Sequence, residues 1–132
     1  MHATGTFEVK ITPAESPALA KEAGLGLFLL EKTFSGEFEG SSKGEMLSGS
    51  AESTGAMVYV AIDRVTGKLK GRSGSFLLMH NGTMLKSDPN SGVLSVAIVP
   101  HSGTNQLTGI SGRLTITIEG KQHRYDLEYE LK

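Results

Sequence analysis

From His2 to Ile11 the chain alternates with a period of two. Ala3, Gly5, Phe7, Val9 and Ile11 share one face, and His2, Thr4, Thr6, Glu8 and Lys10 share the other. A half-buried β-strand accounts for this pattern, because successive strand side chains point to opposite faces. The period returns at residues 113–119, where Leu114, Ile116 and Ile118 oppose Thr115 and Thr117. It returns again at 122–131, with Tyr125, Leu127, Tyr129 and Leu131 opposing Arg124, Asp126, Glu128 and Glu130. Gly120-Lys121 between these two runs predicts a C-terminal hairpin.

Two more runs, "GAMVYVAIDRV" and "KLKGRSGSFLLMH", flank Thr66-Gly67. A two-residue turn there pairs Val65 with Lys68, Asp63 with Lys70 and Ala61 with Arg72. "GVLSVAIVP" is a strand ended by Pro100, and "FLLEKTFSGEFEGSSKGEML" is one long glycine-interrupted strand or two shorter ones. "SPALAKEAG" is the one helical candidate, with Ser16 as cap, Pro17 at the first helical position and Gly24 as stop. About eight short strands and at most one short helix near 16–24 predict a single all-β domain over 1–132. An antiparallel closed barrel or a sandwich satisfies that pattern, and closure removes the sheet edges that template aggregation.

Glycine occurs 17 times, mostly inside these β-patterned runs. "LKGRSGSF" (69–76) recurs as "LTGISGRL" (107–114), and "FEGSSKGEM" (38–46) is a looser copy. Each glycine inside a strand weakens it by about 0.5–1 kcal/mol, so the pattern needs a geometric reason such as sharp coiling. The unequal separations exclude a solenoid repeat.

The segments "EKTFSGEFEGSSKGEML", "YVAIDRVTGKLKGRSGSFLLMHNGTM", "VPHSGTNQLTGISG" and "YDLEYEL", in this order, resemble a bacterial domain family of unknown function. Its members are small barrels of the allene oxide cyclase and dirigent type. The resemblance spans nearly the whole chain and implies an eight-stranded antiparallel barrel with a central cavity. It implies no activity, and no stretch carries over the cyclase's substrate-binding residues.

Composition removes several chemistries. The formal net charge is −1 with acids and bases interleaved, and Trp is absent, which argues against a nucleic-acid groove. There is no Cys, so disulfides, thiol catalysis and Cys-ligated metals are excluded. The N-terminus shows neither a basic region nor an apolar run of signal-peptide type. The apolar runs fall short of the roughly 20 residues of a membrane helix, so a cytoplasmic protein without a membrane partner is the expectation. His2, His80, His101 and His123 lack metal-ligand spacing, and neither metal nor cofactor is expected. Ser73 and Ser75 lie in a strand and lack the final glycine of a nucleophile elbow, so they are packed small residues.

The parity of the central hairpin singles out other residues. Met57, Tyr59, Ala61 and Asp63 share a face with Lys70, Arg72, Phe76, Leu78 and His80. The opposite face, with Val58, Val60, Ile62, Leu69, Ser73, Ser75, Leu77 and Met79, reads as plain core. The first face mixes apolar groups with a phenol, a guanidinium and an imidazole, as the lining of a ligand cavity does. An inward Arg72 needs an anionic partner, from Asp63, Glu31, Glu45 or a ligand. Lys32 shares parity with Phe28, Leu30, Phe34 and Phe38, so an inward Lys32 is half of a buried ion pair or an anion contact. "EFEGSSKGE" reads as a solvated hairpin.

The leading expectation is a barrel that binds a small, mostly apolar molecule with an acidic group. Arg72, Tyr59, His80 and Lys32 are its polar contacts, with Phe76 and Phe34 beside them. The alternatives are a cyclase or isomerase acting in the barrel, and a structural or self-associating module with a packed interior.

Overall fold

The computed structural model describes residues 1–131. Eight strands form the chain's main body: β1 (His2–Ala14), β2 (Gly26–Gly36), β3 (Phe38–Ala51), β4 (Ala56–Leu69), β5 (Arg72–Leu85), β6 (Asp88–Ile98), β7 (Ser111–Glu119) and β8 (Gln122–Glu130). Each pairs antiparallel with its sequence neighbour, and β1 pairs with β8 to close the barrel. The β6–β7 seam is the thinnest, with a single registered pair, Ala97 opposite Arg113.

"FLLEKTFSGEFEGSSKGEML" forms two strands, β2 and β3, joined at Gly36 and Glu37. Its second half is therefore a barrel strand rather than a solvated hairpin. Glu39, Lys43 and Glu45 face water, while Phe38 and Ser42 are buried between them. A single-turn helix, α1 (Ala18–Glu22), follows β1 and buries none of its residues. Gly24 ends it at φ +74°, but Ser16 does not cap it: its hydroxyl donates to the Leu25 carbonyl at 3.3 Å.

The β4–β5 turn lies at Lys70-Gly71, not Thr66-Gly67. Both residues of a tight hairpin turn of this kind need positive φ, and Lys70 (47°) and Gly71 (87°) supply it. Ala61 thus opposes His80 instead of Arg72, Asp63 opposes Leu78 and Val65 opposes Phe76. Gly67 is kept for packing. It stands in a row with Gly40 and Gly74 across β3, β4 and β5. A Cβ on Gly67 would lie 2.7 Å from the Gly40 Cα, and one on Gly74 would press into Leu107 at 3.0 Å. The row ends under the 3₁₀ turn Asn105–Leu107.

The core fills one half of the barrel. Phe7, Phe34, Phe38, Phe76, Leu69, Leu107, Ile110, Tyr125 and Leu127 are buried there, with Phe38 edge-on to Phe34 at 5.5 Å between ring centres. The Tyr125 hydroxyl accepts from the Phe38 amide at 2.9 Å and lies 3.0 Å from the Phe38 carbonyl, pinning the β2–β3 turn to β8. The residual cavity among Phe34, Phe38, Val65, Phe76 and Leu127 is about 10 Å³, the space of about one water.

The face expected to be plain core is the outside of the barrel. Val58, Val60, Ile62 and Met79 are exposed, and Leu69 lies on the inner face with Asp63 and Val65. The alternation sorted the residues into the right sets on each strand up to the turn. Which set faced inward was decided by the polar residues that can pair with each other.

Candidate functional site

Midway along the barrel the inner face turns polar. β2 contributes Lys32, β4 contributes Asp63 and β5 contributes His80, all buried. Their inward direction follows from strand parity, since each shares its face with buried apolar neighbours: Leu30 and Phe34, Ala61 and Val65, Phe76 and Leu78. Lys32 Nζ donates to Asp63 Oδ2 at 2.6 Å, and His80 Nε2 lies 3.0 Å from the same oxygen. A carboxylate oxygen only accepts, so Nε2 carries the proton of that bond. Lys32 Nζ and His80 Nε2, 3.5 Å apart, are then two donors converging on one acceptor rather than partners of each other. In the neutral ring this leaves Nδ1 as an acceptor, oriented by Asp63.

Burial alone raises the Asp63 carboxyl, but the His80 hydrogen bond and the charge and hydrogen bond of Lys32 outweigh it and hold the group below its ordinary 3.8. Asp63 is therefore ionised at neutral pH, and with Lys32 it makes a charge-balanced pair. Space for the carboxylate comes from Gly44, directly opposite on β3, where a Cβ would overlap Asp63 Oδ1. Asp63 Oδ1 and the neighbouring Ser42 Oγ are buried without a hydrogen-bond partner among the described residues.

Beyond this layer the inner face opens. On β1 it passes from buried Phe7 through half-buried Val9 to Ile11, 51% exposed; on β7 it passes from Leu114 through Ile116 to Ile118, 63% exposed. Phe28, Met46, Met57, Tyr59 and Met84 are half-buried around the same end. Tyr59 lies over Gly82, its ring 2.5 Å from where a Cβ would stand. Burial raises its phenol, and the Asp63 charge adds to the effect.

The structure thus brings Lys32, His80 and Tyr59 to one region of the interior, with Asp63 at its centre. Phe34 and Phe76 lie below it in the packed half. Arg72 is elsewhere: it is exposed at the first position of β5, eight residues from His80. At the rise of a strand that is roughly 26 Å along β5. Asp63 was visible in the sequence as a member of the cavity-lining face and a candidate partner for Arg72, not as a polar contact of the site, and Ser42 was hidden in a run that looked solvated. A buried carboxylate opposite a glycine was the signal that could have found both.

The remaining histidines are apart from this cluster. His2 bonds Asp126 at 2.8 Å on the surface, His123 lies tilted against Phe7 with ring centres 5.1 Å apart, and His101 occupies an exposed loop at φ 65°. Among the described residues no group of three or more His, Asp or Glu could hold a metal ion. Among them, too, no helix is long and apolar enough to cross a membrane. A wider groove, about 790 Å³, runs outside along β1 and the β7–β8 turn, lined by Thr6, Glu8, Thr33, Lys121 and Gln122, and contains none of the buried polar residues.

A search of curated proteins finds no match. A solved structure from Shewanella oneidensis MR-1, described as a protein of unknown function from the DUF3224 family, is similar at 43% identity. The likeness covers 100% of this chain and 97% of that one, with a TM-score of 0.88. The family model described as "Protein of unknown function (DUF3224)" matches residues 3–129. The chain therefore belongs to the DUF3224 family, a bacterial representative of which has the same barrel.

Proposed function

We propose that the protein binds a small, mostly apolar molecule through the open end of the barrel, with the Lys32–Asp63–His80 layer as the floor of the site. The observation that carries this reading is the gradient of burial on the inner face. One half is packed to a residual cavity of about 10 Å³, while inner-facing residues of the other half are half-buried or exposed above a polar layer. A mostly apolar wall with a few convergent polar groups is the usual composition of a ligand site.

The acidic group expected from Arg72 gives way to an uncharged hydrogen-bonding head. Arg72 stands at the far end, and the charge of Lys32 is already balanced by Asp63. A carboxylate entering here would meet the ionised Asp63, whereas a hydroxyl can donate to His80 Nδ1, and a hydroxyl or carbonyl can accept from the Tyr59 phenol, without burying a second negative charge.

Titration calorimetry of the full chain with 1-decanol, 2-decanone and decanoate tests the reading. The alcohol or ketone binds, decanoate binds at least tenfold more weakly, Met57→Arg at the open end abolishes binding, and Arg72→Ala leaves it unchanged. Absence of binding by all three probes, or equal binding by the Met57→Arg variant, overturns it.

A second reading, proton transfer on the bound molecule, rests on the Asp63–His80 contact of 3.0 Å, which orients His80 as a base. It requires that a bound 2-decanone exchange its α-hydrogens with deuterated water faster with the wild-type chain than with His80→Gln.

A further inference from the structure

The outer face of β2–β5 carries an apolar patch that the barrel does not use. Along one cross-strand row Leu29, Glu45, Ile62 and Met79 stand side by side, and along the next Leu27, Leu47, Val60 and Asn81 do so. Ile62 is 61% exposed and Val60 48%, with Leu29, Leu47, Val58 and Met79 also exposed. The surface between them is concave, a groove of about 710 Å³. Scattered exposed apolar residues need no explanation, but a contiguous patch rimmed by polar groups marks an interaction site.

We propose that this face is a self-association surface, and that its occupant is the same face of a second copy of the chain. Three observations select that occupant. First, the rim carries both signs: Glu31, Lys43 and Arg64 lie in one cross-strand row with Glu45 beside them, and among the described residues none of the four forms an ion pair. A two-fold axis through the patch places apolar residues against apolar residues and acids of one copy against bases of the other, the self-complementarity an isologous interface requires. Second, four strands by four outward rows span roughly 500 Å² of projected face at ordinary strand spacing and rise. With side-chain relief this approaches the roughly 800 Å² of accessible surface that each partner buries in a standard interface. Third, each of β2–β5 is paired on both sides, so this face offers no free strand edge and associates through its side chains, face to face. The inference is independent of the ligand reading, because these side chains point away from the interior.

Sedimentation velocity of the full chain between 1 and 100 µM tests it. The wild type sediments as a dimer or larger closed assembly, and Val60→Asp and Ile62→Lys shift the dissociation constant upward by at least 100-fold. Both positions are on the exposed face, so the far-UV circular dichroism of the variants matches the wild type, and two variants guard against one misfolding. Lys43→Glu weakens association several-fold and reduces its sensitivity to salt. A wild type that stays monomeric at 100 µM overturns the proposal, whatever else binds the face. Assembly that persists unchanged in folded Val60→Asp overturns it too, because the interface then lies elsewhere.

Discussion

Replacing Lys32 with Met probes the centre of the barrel directly. The side chains are similar in length, so the change removes a charge with little change of volume. In the native protein Lys32 Nζ is 2.6 Å from Asp63 Oδ2, and both side chains are buried. Removing one member of a buried pair leaves the other charge uncompensated, at a cost of about 3–5 kcal/mol. Against a total stability of about 5–15 kcal/mol, the midpoint of thermal unfolding falls by roughly 10–20 °C. The pH dependence separates this cause from a packing defect. In the wild type Asp63 is held below its ordinary 3.8, so its contribution to stability is present above that value and is lost as pH falls through the lower folded value. In Lys32→Met the charge and hydrogen bond of Lys32 no longer oppose burial, so the Asp63 carboxyl moves upward from its wild-type position. Its folded-state depression is smaller, and the variant loses less stability than the wild type as pH falls from 7 through the carboxylate range. Urea unfolding followed by circular dichroism measures both slopes, and there is no Trp to complicate tyrosine emission. Lys32→Met/Asp63→Leu removes both charges and recovers most of the loss, since a buried pair exchanged for apolar residues is often neutral or stabilising. A loss under about 1 kcal/mol, or wild-type and variant curves that fall in parallel with acid, refutes the account of a buried, compensated charge.

Two further substitutions test the parts that hold this layer. Gly44→Ala places a methyl group where Asp63 Oδ1 lies, and overpacking of this kind costs about 1–3 kcal/mol, read as a lowered urea midpoint with unchanged slope. Tyr125→Phe leaves the Phe38 amide without its acceptor. It lowers stability by about 1–3 kcal/mol and speeds hydrogen exchange at the Phe38 amide selectively.

Most of the architecture was legible in the alternation. A period of two over short runs separated by glycine yields strands, and eight such runs with no long helix yield a barrel or sandwich. That Asp63 and His80 share one face of the β4–β5 hairpin was legible as well, as was the apolar company of Lys32 on its strand. The turn was not. Thr66-Gly67 and Lys70-Gly71 both look like hairpin turns in sequence, and their difference shifts the register by an even number of residues. Parity therefore survived while every partner changed, and Arg72 was placed where His80 stands. What separates the two is distant in sequence: Gly67 is held against Gly40 by the β3 strand, a contact no local signal encodes.

Alternation within each strand was therefore sufficient to determine the approximate strand count and which residues of a strand share a face. The choice between the two faces of β4 was not determined locally, since Val58, Val60 and Ile62 are as apolar as a core strand requires. It was decided by closure of the barrel, which brought one lysine and one histidine within reach of one carboxylate. A buried carboxylate is tolerable only with such partners, so the face that could pair Asp63 turned inward and the more apolar one turned out.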